Sequence, residues 1–281
     1  MSLPSFNTST VTLVVLFLFS FLSIISEAAP SIRTYFCPDD TNFIPNSTYQ
    51  SNLNLLFSSL SSNATRESGF YNTTVGQNTP NIVYGLFLCR GDVTTDVCQD
   101  CVTTATKTIA QQFCPTGKEA IIWYNECMLR YSNESFFSNM YDSPVTYFRN
   151  DKNITEHERF NQLLGTIFND LVTRATSADQ PGAKKFATKE ANFSATIKLY
   201  SLVQCTPDIS SSSCDTCLRA LLANLPVCCG GKQGVTVLTP SCNVRYEVYP
   251  FYRILPPPPA PAGLVPRPNG KFELHLLIVW A

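Results

Sequence analysis

Histidine is nearly missing from this 281-residue chain, with only His157 and His275 present. The usual nucleophile–base–orienter constellation and most mixed Cys/His zinc sites therefore lack their central residue. His157 stands among charges in Glu156-His-Glu158-Arg159 and reads as a solvated helix start, while His275 lies in the tail. Charge is also scarce and balanced: 15% of residues are charged and the net charge is -1. That excludes nucleic acid or an anionic membrane surface as the main partner. No Gly-rich loop is spaced to cradle a phosphate. No apolar run reaches the ~20 residues of a membrane span. Leu274–Ala281 (LHLLIVWA) is apolar but would cover only about 12 Å as a helix. Both ends lack cysteine, since the first is Cys37 and the last Cys242.

Between those limits cysteine is abundant, and it repeats. Cys89-x8-Cys98-x2-Cys101 returns 116 residues later as Cys205-x8-Cys214-x2-Cys217. Cys127-Met-Leu-Arg130-Tyr131 returns 115 residues later as Cys242-Asn-Val-Arg245-Tyr246. With Cys37 and Cys114 before the second landmark, and Cys228 and Cys229 in the second half, the 12 cysteines fall six to each half. The chain reads as a tandem repeat of one domain of roughly 100 residues.

Residues 1–28 read as a secretory signal. Val11–Ile25 supplies the apolar core and Ser26-Glu-Ala28 the small residues of a cleavage site, although no Lys or Arg precedes the run. Six sequons agree with export: Asn46, Asn63, Asn72, Asn133, Asn153 and Asn192 each begin Asn-x-Ser/Thr. Glycans there would supply the solubility that the low charge does not. The remaining divisions are a first domain over 29–137, a linker over 138–152 and a second domain over 153–253. A Pro-rich and apolar tail follows over 254–281, in which Pro256–Pro261 forms a stiff spacer.

Periodicity supplies the elements. Leu53, Leu56, Phe57 and Leu60 lie at helical spacing, and Phe160, Leu164, Ile167, Phe168 and Leu171 repeat the pattern. Gly69–Asn81 is polar and reads as a loop or hairpin. Ile82–Cys89 and Thr196–Cys205 read as strands. Asp96 is placed to cap a helix reaching about Gln112, with Cys98, Cys101, Val102, Ala105 and Ile109 on one face. The corresponding helix in the second half carries Cys214, Cys217, Leu218, Leu221 and Leu225 and should stop at Pro226. Ala120–Tyr124, Cys127–Tyr131, Val235–Leu238 and Cys242–Tyr249 read as further strands. The order implies an α+β fold with helices segregated against an antiparallel sheet.

The Cys-x2-Cys pairs admit three readings: half of a zinc site, a redox pair, or structural disulfides. Export and the shortage of histidine favour disulfides. Arg130 and Arg245 read either as ligand contacts or as guanidinium groups stacked or paired at a sheet edge.

These residues carry a resemblance. The duplicated C-x8-C-x2-C motif, the signal, the Cys-x-x-Arg-Tyr strand and the ending Tyr249-Pro-Phe-Tyr are similar to the plant cysteine-rich repeat secretory proteins. Those are built from ginkbilobin-like, or stress-antifungal, domains, which also form the ectodomains of cysteine-rich receptor-like kinases. The resemblance covers about residues 30–253 and implies two domains, each with two helices packed on a five-stranded antiparallel sheet. It implies the pairs Cys37–Cys114, Cys89–Cys98, Cys101–Cys127, Cys205–Cys214 and Cys217–Cys242. Cys228 and Cys229 depart from its pattern. It also implies a mannose site on an Asn, an Arg and a Glu. In the first domain those positions hold Pro38, Ile121 and Ser132. In the second they hold Thr236 and Glu247, with no cysteine anchoring the first position, so only Glu247 matches. A proline and an isoleucine supply no sugar-binding polar groups, and Glu247 alone reads as a solvated residue on a strand face.

The functional expectation is a secreted, glycosylated binding protein of the plant apoplast in defence or stress signalling. It is expected to have no catalytic activity, no cofactor and no metal. Its expected partners are cell-surface or secreted proteins and cell-wall glycans. The alternatives are the ectodomain of a receptor-like kinase, to which the Pro-rich spacer would be a juxtamembrane stalk, and a mannose-binding antifungal lectin.

Overall fold

The computed structural model describes residues 29–39, 41–77, 80–177 and 183–253. The signal peptide and the Pro-rich tail read from the sequence lie outside them. In the first domain, strand β1 (Ile32–Phe36) precedes helix α1 (Thr48–Ser62), and the hairpin β2 (Phe70–Val75) and β3 (Val83–Cys89) follows. Helix α2 (Thr95–Thr108) then continues through a π-helical turn, Ile109–Phe113, into β4 (Ala120–Tyr124) and β5 (Cys127–Ser132). The second domain repeats the order with β6 (Thr146–Arg149), α3 (His157–Thr176), β7 (Phe186–Asn192), β8 (Lys198–Cys205), α4 (Ser211–Cys229), β9 (Val235–Leu238) and β10 (Cys242–Glu247). Each sheet is antiparallel and five-stranded, in the orders β1-β4-β5-β3-β2 and β6-β9-β10-β8-β7.

Local chemistry explains the helices. The side chain of Ser47 accepts from the Gln50 backbone and caps α1, whose Tyr49, Leu53, Leu56, Phe57 and Leu60 are buried at helical spacing. Thr94, not Asp96, caps α2 by accepting from Val97, and Asp96 sits in the first turn. Pro226 does not stop α4, which runs one turn further to Cys229. Pro226 is exposed, and lacking an N–H it leaves the Leu222 carbonyl, four residues earlier, without its helical donor. His157 is the exposed first residue of α3.

Three strands, β1, β6 and β7, lie outside the elements read from the sequence, and a fourth, β2, shows that Gly69–Asn81 belongs to a hairpin. The 138–152 stretch, read as a linker, contains β6, which pairs with β9 and so belongs to the second sheet. β1 does the same beside β4. β2 pairs with β3 in the Gly69–Asn81 region, and β7 pairs with β8. All four are edge strands.

The helices cover one face of each sheet. The opposite faces pack against each other: Leu86, Leu88, Ile121, Trp123, Met128 and Phe136 of the first domain form one buried cluster with Leu238 of the second. The Gln204 amide donates to the Cys89 carbonyl at 2.9 Å and the Arg253 N–H donates to Asp92 at 2.8 Å across this junction. A Cβ on Gly91 would overlap the Phe186 ring, so glycine permits the close approach. Central strands are thus covered on both sides, which is why every residue of β4 and β5 is buried.

Candidate functional site

Cysteine builds the frame. Cys89 and Cys127 face each other in register on β3 and β5. Cys98 and Cys101, three apart on one face of α2, are bonded to Cys89 and Cys127 respectively. One helical face is thereby stapled to two adjacent strands. The second domain does the same through Cys205–Cys214 and Cys217–Cys242, with Cys205 and Cys242 paired in register. Cys37–Cys114 ties the end of β1 to the end of the π-helical turn. Cys228 is bonded to its neighbour Cys229. No free cysteine and no cluster of metal-ligating side chains occurs among the described residues.

The repeated Arg-Tyr pair divides its labour by strand alternation. Tyr131 and Tyr246 point to the helix side. Tyr131 stacks edge-on to Phe57, and its hydroxyl donates to the Gly117 carbonyl at 3.0 Å. Tyr246 packs on Phe160 and Phe168 and donates to Lys232 at 3.3 Å. Burial pushes both phenols well above their ordinary pKa. Arg130 and Arg245 point to the junction. Arg130 lies 4.1 Å from the Phe136 ring and 4.4 Å from Tyr141, and pairs with Glu119 at 3.6 Å. Burial holds its guanidinium below the ordinary value, with Glu119 opposing. Arg245 stacks on Phe251 at 4.1 Å. Both arginines are stacked and paired, but they sit on the central strand of each sheet, not at its edge.

Glu247 is not a solvated strand residue. It is 6% exposed and pairs with Arg245 at 3.3 Å. It packs so closely on Gly234 that a Cβ there would overlap its carboxylate. Thr236, beside Arg245 in register, is equally buried. From the other domain, Arg33 on β1 stacks over Phe148 at 4.3 Å. Burial and the like charge of Arg245 lower the Arg33 pKa, with Glu247 opposing. Glu247 Oε2, Thr236 Oγ1 and Arg33 Nε have no hydrogen-bond partner among the described residues.

Beside this cluster a cleft of about 60 Å³ opens between the domains, lined by Trp123, Asn125, Gln204, Asn243, Arg245 and Phe251 among others. It has room for a few waters and is well below the ~300 Å³ of an ordinary ligand pocket. Of the positions tied to a sugar site by resemblance, the structure brings Thr236 and Glu247 onto adjacent strands. It buries Ile121 and Ser132 in the first domain and leaves Pro38 half-buried beyond β1. The Glu247 carboxylate is paired with Arg245, and Asp92 accepts from Nε and Nη2 of Arg90, whose Nη1 donates to the Asn125 carbonyl. Glu126, which also lines the cleft, accepts from the Ser31 backbone. Sequence reading missed Arg33, for which no signal exists. The Arg245–Glu247 pairing was legible in principle, as opposite charges two apart on one strand face.

The sequons fall into two groups. Asn46, Asn153 and Asn192 are exposed, while Asn63, Asn72 and Asn133 are half-buried. The Asn63 amide donates to Ser59 at 2.9 Å and its carbonyl accepts from Arg66 at 2.6 Å.

Residues 36–134 and 147–249 each match the salt stress response/antifungal family. The chain is 42% identical over 278 residues to cysteine-rich receptor-like protein kinase 25 of Arabidopsis thaliana, covering 94% of this chain and 40% of that protein. This chain thus spans well under half the length of that relative. Cysteine-rich repeat secretory protein 38 of the same plant is 42% identical over 218 residues, covering 77% of this chain and 84% of the relative. The solved tandem DUF26 ectodomain of the Arabidopsis thaliana cysteine-rich receptor-like protein PDLP8 superposes with a TM-score of 0.66 at 22% identity, over 78% of this chain and 98% of that one. At that identity the likeness establishes the fold.

Proposed function

The chain belongs to the salt stress response/antifungal (DUF26) family of cysteine-rich secreted and ectodomain proteins, and from that premise we propose that it is a non-catalytic, extracellular interaction protein acting in defence or stress signalling. The observation that carries this reading is the junction. The sheet faces that hold the positions of a sugar site by resemblance are turned against each other and buried. Recognition is therefore left to the outer surfaces, where Ile32, Tyr35 and Phe36 of edge strand β1 are exposed. The apolar leader and the sequons support secretion and glycosylation, and the exposed apolar edge of β1 supports a protein partner at the cell surface.

The test is calorimetric titration of mannose and yeast mannan into protein secreted from a eukaryotic host, beside a mannose-binding relative. No heat from this protein, with normal heat from the relative, is the expected result. Saturable heat would put a lectin in its place. The alignment with a receptor kinase over 94% of this chain supports a second reading, in which the paired domains are a receptor's extracellular part. Transcript sequencing through the codon for Ala281 into a span and kinase would decide for it.

A further inference from the structure

The two repeats differ most at one place, the groove between their helices. Aligned on the cysteine frame, the last turn of α4 corresponds to the π-helical turn of the first domain. Cys229 stands 116 residues after Phe113, and Leu222 116 after Thr106. Aligned on the buried faces of α1 and α3, Gly165 takes the place of Asn54. In the first domain Phe113 stacks on Tyr35 at 4.2 Å, and the groove is lined by Asn54, Ser58, Ser61, Thr103, Thr106 and Lys107 among others. It is a wider and more open groove of about 420 Å³, with hydroxyls, carboxamides and the Lys107 ammonium along it beside Phe57 and Ala110. In the second domain the aromatic ring has become a disulfide sulfur and the asparagine a glycine, whose missing Cβ would meet no atom within 4 Å.

What these exchanges leave is a pocket of about 190 Å³ lined by Leu164, Phe168, Leu222, Leu225, Cys229 and Tyr246, with other groups at its rim. Phe168, Cys229 and Tyr246 are each 2% exposed and form a fixed floor. The lining carries no charged side chain. The Tyr246 hydroxyl is turned away to Lys232, so the floor is apolar. The polar groups at the rim are the carboxamides of Asn161 and Asn169. Arg219, which reaches Asn169, is already paired with Asp215 at 2.8 Å. An enclosed Leu/Ile/Phe-lined cavity of about 150 Å³ takes up benzene; this groove has a similar volume but is open on one side, so it suits one aromatic ring whose substituent reaches solvent.

We propose that the groove between α3 and α4 is a binding site for a small, uncharged, single-ring molecule. The ring lies on Phe168 and between Leu164, Leu222 and Leu225, and its polar substituent meets Asn161 and Asn169. The site is independent of the junction and of how the reading above fares. It belongs to the second repeat alone.

The probe is benzyl alcohol, titrated into the secreted, methyl-labelled protein and followed by carbon–proton correlation spectra. Saturable shifts confined to the methyls of Leu164, Leu222 and Leu225 are expected. Benzoate, which has the same ring but carries a charge, should bind at least 10-fold more weakly. Gly165→Leu fills the pocket from an exposed helix position and should weaken benzyl alcohol at least 10-fold. Gly165→Ala, a smaller plug, should weaken it less and controls for folding. Absence of shifts at those three leucines, or shifts undiminished in a folded Gly165→Leu protein, would overturn the proposal.

Discussion

Removing two different disulfides from this protein should have very different consequences. Cys37–Cys114 closes a sequence separation of 77, whereas Cys228–Cys229 closes a separation of 1. Chain-entropy reasoning gives about 4.5 kcal/mol for the first loop and well under 1 kcal/mol for the second. The first figure is an upper bound, because reduced chains retain structure and strand β1 is only half-buried. A loss of about 2–4 kcal/mol is expected for Cys37→Ala with Cys114→Ala. The Cys228→Ala, Cys229→Ala protein loses only the contacts of two sulfur atoms, one of them buried, and about 1 kcal/mol is expected. The assay is guanidinium unfolding of both double variants of a Trp280→Phe background, with Trp123 fluorescence reporting the domain junction and far-ultraviolet dichroism the whole. Mass mapping of the remaining disulfides ensures that no pair has been exchanged. If the neighbouring pair costs as much as the long-range pair, loop closure is not what these bonds contribute and the reasoning fails.

Three further outcomes follow from the packing. Gly91→Ala drives a methyl into the Phe186 ring across the junction and should destabilise by about 1–3 kcal/mol; an unchanged melting temperature and scattering profile would show that the domains are not in contact there. Burial raises the phenol pKa of Tyr49, Tyr131, Tyr246 and Tyr252, so the folded state favours their neutral form. That stability is fully present below the unfolded value near ~10 and is lost as pH rises beyond it. A spectrophotometric titration should show these four ionising only with unfolding, and one common step near pH ~10 in a folded protein would contradict it. Peptide mapping of the secreted protein should find glycans on Asn46, Asn153 and Asn192 and none on Asn63, whose amide is already engaged; full occupancy at Asn63 would refute the exposure argument.

How much of this was legible depended on burial. β3 (VYGLFLC) and β4 (AIIWY) are covered on both faces, so they appear as unbroken apolar runs that need no partner to be recognised. β1, β2, β6 and β7 are sheet edges with few buried residues, so none shows as an apolar run, and the partners of β1 and β6 are also far away in sequence. Arg130 and Arg245 could be read as stacked cations, but nothing in a single strand says that it is the middle of five. Glu247 looked solvated because a single strand does not show what lies over it. Its cover comes partly from its own domain, through Arg245 and Gly234, and partly from the other repeat, whose Arg33 faces it across the packed sheets. A repeat seen in sequence suggests two equal units. That these bury one face of each against the other is a property of the pair, and a property of the pair leaves no period in either half.

The staples also set how the molecule responds to tension. Within the first domain, a pull between Cys37 and Cys127 passes through the Cys37–Cys114 bond, and from there only two parallel stretches of 12 residues can straighten, 115–126 directly and 102–113 through the Cys101–Cys127 bond. That caps the separation at about 45 Å, where the unbonded chain could extend several times further. The second domain has no counterpart to the Cys37–Cys114 bond, and everything from β6 to the start of β8 lies outside its loops. Strung between a wall and a membrane, such a molecule would behave as an inextensible head joined to one that can yield, and the yielding part would be the helix α3 and its two neighbouring edge strands.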